Sequence, residues 1–388
     1  MTIRLLDHHS RPLHLAVELD GTGRHPAAWR RTDSRAEELF TAGYWVDLSR
    51  QADDAGLELV LLTDAFTAAS AGSGVVSGRL DAVAIAARVA LETTTVGLVP
   101  LATTTHTEPF HVAKAVQSLD HVSHGRAGWE VGVSTTAADA ELVGRTGVQS
   151  AASLWAEADA AVEVAVRLWD SWEDDAEIRD VATGRFVDRD KLHYIDFVGE
   201  RFSVKGPSIT PRSPQGHALV VVRAGDDASL AVAAGRADVV RISAPHIAAA
   251  GAERERVHTA VRAAGRDPDQ VTVLLDVEVL TAPTAAQARA EVTQLEGWAR
   301  HTPRSLTYTG TPDGLAGLLH DLQAVGAADG VTLVPLALPS GLAQITQQVL
   351  PRLRQQGVLS ETPAAGTLLR ERFGLSRPVN RFAQEVPA

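Results

Sequence analysis

Residues 97–134 read GLVPLATTTHTEPFHVAKAVQSLDHVSHGRAGWEVGVS, and the fold of the chain is decided here. An apolar run passes into a hydroxyl- and histidine-rich turn at 103–106. Helical spacing then holds from 109 to 122, with Pro109 placed where a helix start tolerates a missing N–H. A second apolar run begins at Ala127. Strand, loop, helix and strand, with polar side chains gathered behind each strand, form the unit of a parallel α/β fold. Such folds bind their ligands at the C-terminal ends of the strands. The loops that follow the strands are therefore the expected rim of an active site.

Outward from this unit the same alternation continues. Strands are predicted at 13–19 (LHLAVEL), 57–63 (LELVLLT), 95–101, from 127 onward, and at 218–223 (ALVVVR), 238–242 (DVVRI), 271–280 and 330–335. Helices are predicted at 44–55, closed by Gly56, and at 79–91, 109–122, 228–236, 253–264, 285–298 and 311–325. Eight strands separated by helices predict a (β/α)8 TIM barrel in which residues 1–388 form one domain. An open doubly wound sheet is the alternative, because periodicity does not report closure. Residues 135–217 are too many for a plain joint after the fourth strand. They hold a helix at 153–172, an acidic loop at 174–190 and a hairpin-like stretch at 194–214, and are expected to form an insertion acting as a lid. The Pro-punctuated tail, 361–388, is expected on the outside or against a partner subunit.

Composition limits what the chain can do. A net charge of −12 argues against a nucleic-acid partner, which would call for a basic face. No apolar run reaches the roughly 18 residues that span a bilayer, and the N-terminus lacks a signal-peptide core, so a cytoplasmic protein is expected. With no cysteine in the chain, thiolate nucleophiles, disulfides and Cys-ligated metals are excluded.

Asp64, just past the second strand, can accept hydrogen bonds from a ligand or cap the following loop. Thr103, Thr104 and Thr105 can grip an isoalloxazine edge or a phosphate, and His106 and His111 can transfer protons near neutral pH. His106, Glu108 and His111 also read as metal ligands, but no second cluster completes a site and none is expected. His25 lies in the first loop, facing the same rim, whereas His121 and His124 at a helix end read as structural. Gly72, Ser73, Gly74 and Gly78 miss the dinucleotide spacing and read as a mobile loop. The turn Ala224-Gly225 can offer backbone N–H groups to a phosphate. Asp226 and Asp227 come next; they cap a helix well but repel a bound anion.

The run 103–134, with RHPAAWR at 24–30 upstream, resembles the bacterial-luciferase-like flavin-dependent monooxygenases. The branch it resembles contains the nitrilotriacetate, dibenzothiophene-sulfone and long-chain alkane monooxygenases. Further matches are LWDSW at 168–172, GERFSVKGPSITPRSPQG at 199–216, residues 326–335 and GTLLRERFGL at 366–375. The resemblance implies a homodimeric or homotetrameric barrel. It would take reduced FMN from a separate flavin reductase and use O2 to oxygenate a small organic substrate. Asp64, Thr103, Thr104, Val133 and Ser134 would hold the flavin, and Ala224 and Gly225 its phosphate. His25, His106 and Glu130 would surround the reacting groups. Three positions depart from the branch: Glu130 stands where it has Asn, and Ala151, Ala152, Leu154 and Trp155 replace its His-Asp-x-Arg-Tyr. Gly225, Asp226 and Asp227 replace its Gly-Ser-Ser. Two alternatives therefore accompany the main expectation, an F420-dependent oxidoreductase of the same superfamily and a flavin-free regulatory subunit.

Overall fold

The computed structural model describes residues 12–66, 74–144, 147–359, 362 and 364–383. Gly72 and Ser73 of the glycine cluster lie outside them. Eight parallel strands follow one another round a closed sheet: β1 (His14–Leu19), β2 (Leu59–Leu62), β3 (Gly97–Thr103), β4 (Gly128–Gly132), β5 (Leu219–Arg223), β6 (Val239–Ile242), β7 (Thr272–Thr281) and β8 (Gly330–Pro335). Pairing of β6 with β7 and of β8 with β1 closes the cylinder, so the barrel is confirmed and the open sheet excluded.

Strand alternation sorts the side chains into two sets. Leu15, Val17, Val60, Leu62 and Leu98 face outward and join a shell under the helices. Ala16, Leu59, Leu61, Val99, Leu219, Val221, Val239 and Leu274 form a separate inner cluster. Two residues beyond Ala16, Val221, Val239 and Leu274, on the same face, stand Glu18, Arg223, Arg241 and Asp276. The inside of the barrel is thus apolar in its lower layer and charged in its upper one.

Helices α1 (Ala42–Asp54), α2 (Ala82–Ala90), α3 (Pro109–Val122), α4 (Ala137–Val143), α5 (Ala151–Asp170), α6 (Asp227–Arg236), α7 (Ile247–Ala263), α8 (Ala285–Trp298) and α9 (Pro312–Ala324) follow in chain order. Asp53 ties α1 to β3, its carboxylate accepting from the N–H groups of Thr94, Thr95 and Val96 at 2.6–2.8 Å. The segment expected as a lid is mostly wall. Its helix α5 packs between α3 and α6 as the fourth barrel helix. The acidic loop is a hairpin, Glu177–Asp180 with Arg185–Val187, and a second hairpin pairs Phe197–Val198 with Ser203–Val204. Among the described residues of this segment, Thr135 and Trp155 line the cavity at the mouth of the barrel.

The tail also differs from expectation. A short helix, Leu369–Arg372, lies under the barrel, where Leu369, Phe373 and Leu375 complete the inner apolar cluster. Arg370 anchors it through Asp238 at 2.9 and 3.2 Å, and the Leu369 N–H donates to the Gly125 carbonyl. Gly125 has φ +84°, a backbone conformation that favours glycine, and a Cβ there would push the Leu368 side chain aside.

β7 overruns the barrel. Its last residues, Val277–Thr281 by register, pair with a strand missed in the sequence, Leu306–Gly310. This overhang raises Glu278 and the loop carrying His301 and Arg304 to the rim.

Candidate active site

A cavity of about 850 Å³ opens at the C-terminal ends of the strands. Its apolar wall is made by Pro26, Ala65, Leu101, Val131, Val133 and Trp155. Glu18, Glu130 and Arg223 reach it from the upper charged layer, and Asp20, Arg24, Asp64, Arg79, His301 and Arg304 from the loops.

Beneath the cavity, Arg241 is fully buried and uses every side of its guanidinium. It donates to both Glu130 oxygens at 2.9 and 3.0 Å, to Glu18 Oε2 at 2.7 Å and to Asp276 Oδ1 at 2.9 Å. Arg223 donates to the same Glu18 oxygen at 2.8 Å and lies 3.5 Å from Asp276 and 3.7 Å from Glu130. Burial alone would raise the Glu18 carboxyl, but Arg241, Arg223 and Arg24 outweigh it and hold it far below the usual carboxylate range. Burial likewise opposes the Arg241 charge, yet Asp276, Glu130 and Glu18 keep it protonated. Glu18 Oε1 is different: buried and lining the cavity, it has no hydrogen-bond partner among the described residues, Arg24 being 3.7 Å away.

The first loop is fixed by Gly23, φ +123°, whose missing Cβ lets it approach within 2.5 Å of Ala337 Cα, measured from where that Cβ would be. Arg24 and His25 then donate their N–H groups to the Pro335 and Leu336 carbonyls. His25 is buried, accepts the Ala27 N–H at Nδ1 and faces Glu296 through Nε2 at 3.3 Å. It faces a smaller neighbouring cavity and meets the main one through His301, ring centroids 5.4 Å apart. His301 in turn binds Glu278 at 2.6 Å.

Burial first, with His301 adding to it against the pull of Glu296, lowers the proton affinity of His25. The unfolded chain therefore takes up this proton before the folded one does, and His25 contributes stability above its ordinary pKa of about 6.5 that is lost as pH falls below it. His25→Gln is expected to lose less stability than the parent between about pH 7.5 and 5.5, read from urea midpoints at the two pH values. Equal losses in both proteins would refute the assignment.

The residues singled out in the sequence divide among several places. Asp64, Glu130, Val133 and Gly225 meet at the mouth. Asp64 caps as well: its oxygens accept from the Ala65 and Ala82 N–H groups at 2.7 and 2.9 Å, and burial raises its pKa. Glu130 is held by Arg241. Thr104 bonds to the Gly132 carbonyl, Thr105 accepts the Ser134 N–H, and Ala224 donates to the Arg241 carbonyl, so these residues brace the strand ends. Thr103 and His111 line an adjoining cavity between α2 and α3 that shares Asp64, Ala65 and Leu101 with the mouth. His106, turned by its φ of +67°, lines another with Glu157 and Phe202. Among the described residues no cluster of three His, Asp or Glu is placed to hold a metal ion, and no helix is long and apolar enough to cross a membrane. The sequence reading missed Glu18, Arg241, Asp276, His301 and Arg304.

A (β/α)8 barrel with a roomy, partly apolar mouth is a scaffold on which small-molecule sites are commonly built. The chain matches the Luciferase-like monooxygenase family over residues 23–334, and it belongs to that family. It is similar to N-acetyl-S-(2-succino)cysteine monooxygenase of Bacillus subtilis (strain 168), 29% identical with 96% of this chain and 99% of that protein covered. It is also similar to nitrilotriacetate monooxygenase component A of Aminobacter aminovorans, 27% identical over 97% and 99%. A solved long-chain alkane monooxygenase shares the fold, with a TM-score of 0.86 at 19% identity over 94% of this chain and 96% of that one.

The family implies reduced FMN, and its two ends fare differently at this mouth. The cavity has room and apolar walls for a flat ring. The turn after β5 does not fit a phosphate. The Gly225 and Asp226 N–H groups both donate to Ser229 Oγ at 2.9 Å, and the Ser229 N–H donates to Asp226 Oδ1 at 2.8 Å. A capping box thus takes up the Gly225, Asp226 and Ser229 N–H groups, and hydrogen bonds from Ser229 hold the Asp226 carboxyl below its usual range.

Proposed function

We propose that the chain is the oxygenating component of a two-component flavin-dependent monooxygenase. It takes reduced flavin from a separate flavin reductase and oxygenates a small organic substrate with O2. The observation that carries this reading is the 850 Å³ mouth cavity, walled on one side by Leu101, Val131, Val133 and Trp155, in a chain that matches the family along most of its length. In this reading the bound flavin supplies the oxidation, and the protein excludes water and positions the reactants. Trp155 and the apolar strand ends keep bulk water off the ring. The His301–Glu278 pair, 2.6 Å apart, is the rim's means of holding a proton. The family's cofactor is FMN; the F420 alternative carries a phosphate too and meets the same closed turn.

One observation favours the second reading, a flavin-free subunit: the Gly225, Asp226 and Ser229 N–H groups of the turn are spent on Ser229 and Asp226. Titration with chemically reduced flavin under anaerobic conditions separates the two. Tryptophan fluorescence is expected to be quenched, with most of the quenching lost in Trp155→Phe. Together with a flavin reductase, the chain is then expected to convert some member of a small-molecule panel with uptake of O2. A chain that binds no reduced flavin, with phosphate or without, would end the oxygenase reading and leave the subunit reading.

A further inference from the structure

We infer that this mouth binds flavin without using its phosphate, and that Asp226 and Ser229 are the residues that set this preference. The inference rests on the flavin reading above and specifies which flavin that site accepts. Two independent features support it.

The first is the closed turn. A phosphate seated at a helix N-terminus is held by free N–H groups and the positive end of the helix dipole. Here the N–H groups of Gly225, Asp226 and Ser229 are all engaged within the turn, and the Asp226 carboxylate occupies the anion's place. Gly225, Asp226 and Ser229 all line the mouth cavity, so the turn faces the ligand with an acceptor. Asp227 offers nothing in exchange, being outside the cavity and paired with Arg256.

The second feature is Glu18. Its Oε1 lies buried at the cavity wall without a hydrogen-bond partner, the Arg24 guanidinium standing 3.7 Å off, on a carboxylate that Arg241 and Arg223 keep ionised through Oε2. An ionised, desolvated oxygen calls for a donor from the ligand. Asp20 and Asp64 stand at the same mouth. Acceptors of this kind suit the hydroxyl groups of a ribityl chain or the N–H groups of a flavin ring.

The test is an anaerobic titration of the full-length chain with reduced FMN and with reduced riboflavin, followed by tryptophan fluorescence, on the parent and on Asp226→Ser. Serine keeps a helix cap while removing the carboxylate. Asp226→Asn, which keeps the shape, is the second variant should the first fail to fold. For the parent, riboflavin is expected to bind at least as tightly as FMN. In the variant FMN is expected to tighten about tenfold, with riboflavin within about threefold of its parent value. FMN binding the parent about tenfold more tightly than riboflavin would overturn the inference, as would variants that leave FMN affinity unchanged. A parent that binds neither flavin removes the oxygenase reading alone. The variants then decide: FMN binding that appears on loss of the carboxylate upholds the closed turn, and its continued absence rejects it.

Discussion

Arg241→Met is expected to cost the fold about 3–5 kcal/mol, the scale on which removing one partner from a buried ion pair is felt. The replacement fills much of the same space, so the loss is mainly electrostatic. Glu18, Glu130 and Asp276 all lean on this guanidinium, and without it three buried carboxylates share Arg223. The sign with pH follows from Glu18. Its proton affinity in the folded protein lies far below that of an unfolded glutamate, so its contribution is present above about pH 4.3 and lost as pH falls through and below that value. In the variant the carboxylates repel one another, and protonation relieves them. The gap between parent and variant in denaturant midpoint is therefore expected to be widest near pH 7 and to narrow toward pH 4. A gap that is small at every pH would contradict the network described above.

Leu369→Asp is expected to be comparably damaging, at the opposite end of the barrel. Leu369 is fully buried in the inner cluster with Leu59, Val99 and Leu274, and its methyl groups occupy the space that a Cβ on Gly97 would need. Leu369→Ala should cost about 2–5 kcal/mol through lost burial and the cavity left behind. The aspartate should cost more, because it adds a carboxylate with no partner to an apolar floor. Denaturant unfolding of the three proteins gives the ranking parent, Ala, Asp. Two variants as stable as the parent would mean that the tail helix does not close the barrel.

All eight barrel strands were legible because each is a mainly apolar run ended by a turn signal, and two helices, Pro109–Val122 and Ala285–Trp298, were read to the residue. The site was less legible, for reasons of geometry. Glu18, Arg241 and Asp276 are single charges inside apolar strands, a visible signal, but their meeting depends on closure of the sheet, which periodicity does not encode. His25 and His106 both follow strands and looked equivalent. The close approach of Gly23 to Ala337 turns one under the rim, and a positive φ turns the other into a separate cavity. The tail's Leu369, Phe373 and Leu375 follow no long amphipathic period, so nothing in their spacing pointed beneath the barrel.

The charged layer also bears on how this barrel can change over generations. Three carboxylates and two guanidinium groups from five strands interlock, and an exchange at any one of them strands the rest. Wholesale replacement by well-packed apolar side chains carries no such penalty. Descendants of this sequence should accordingly keep all five together or lose them together, whereas the rim loops above remain free to drift one residue at a time.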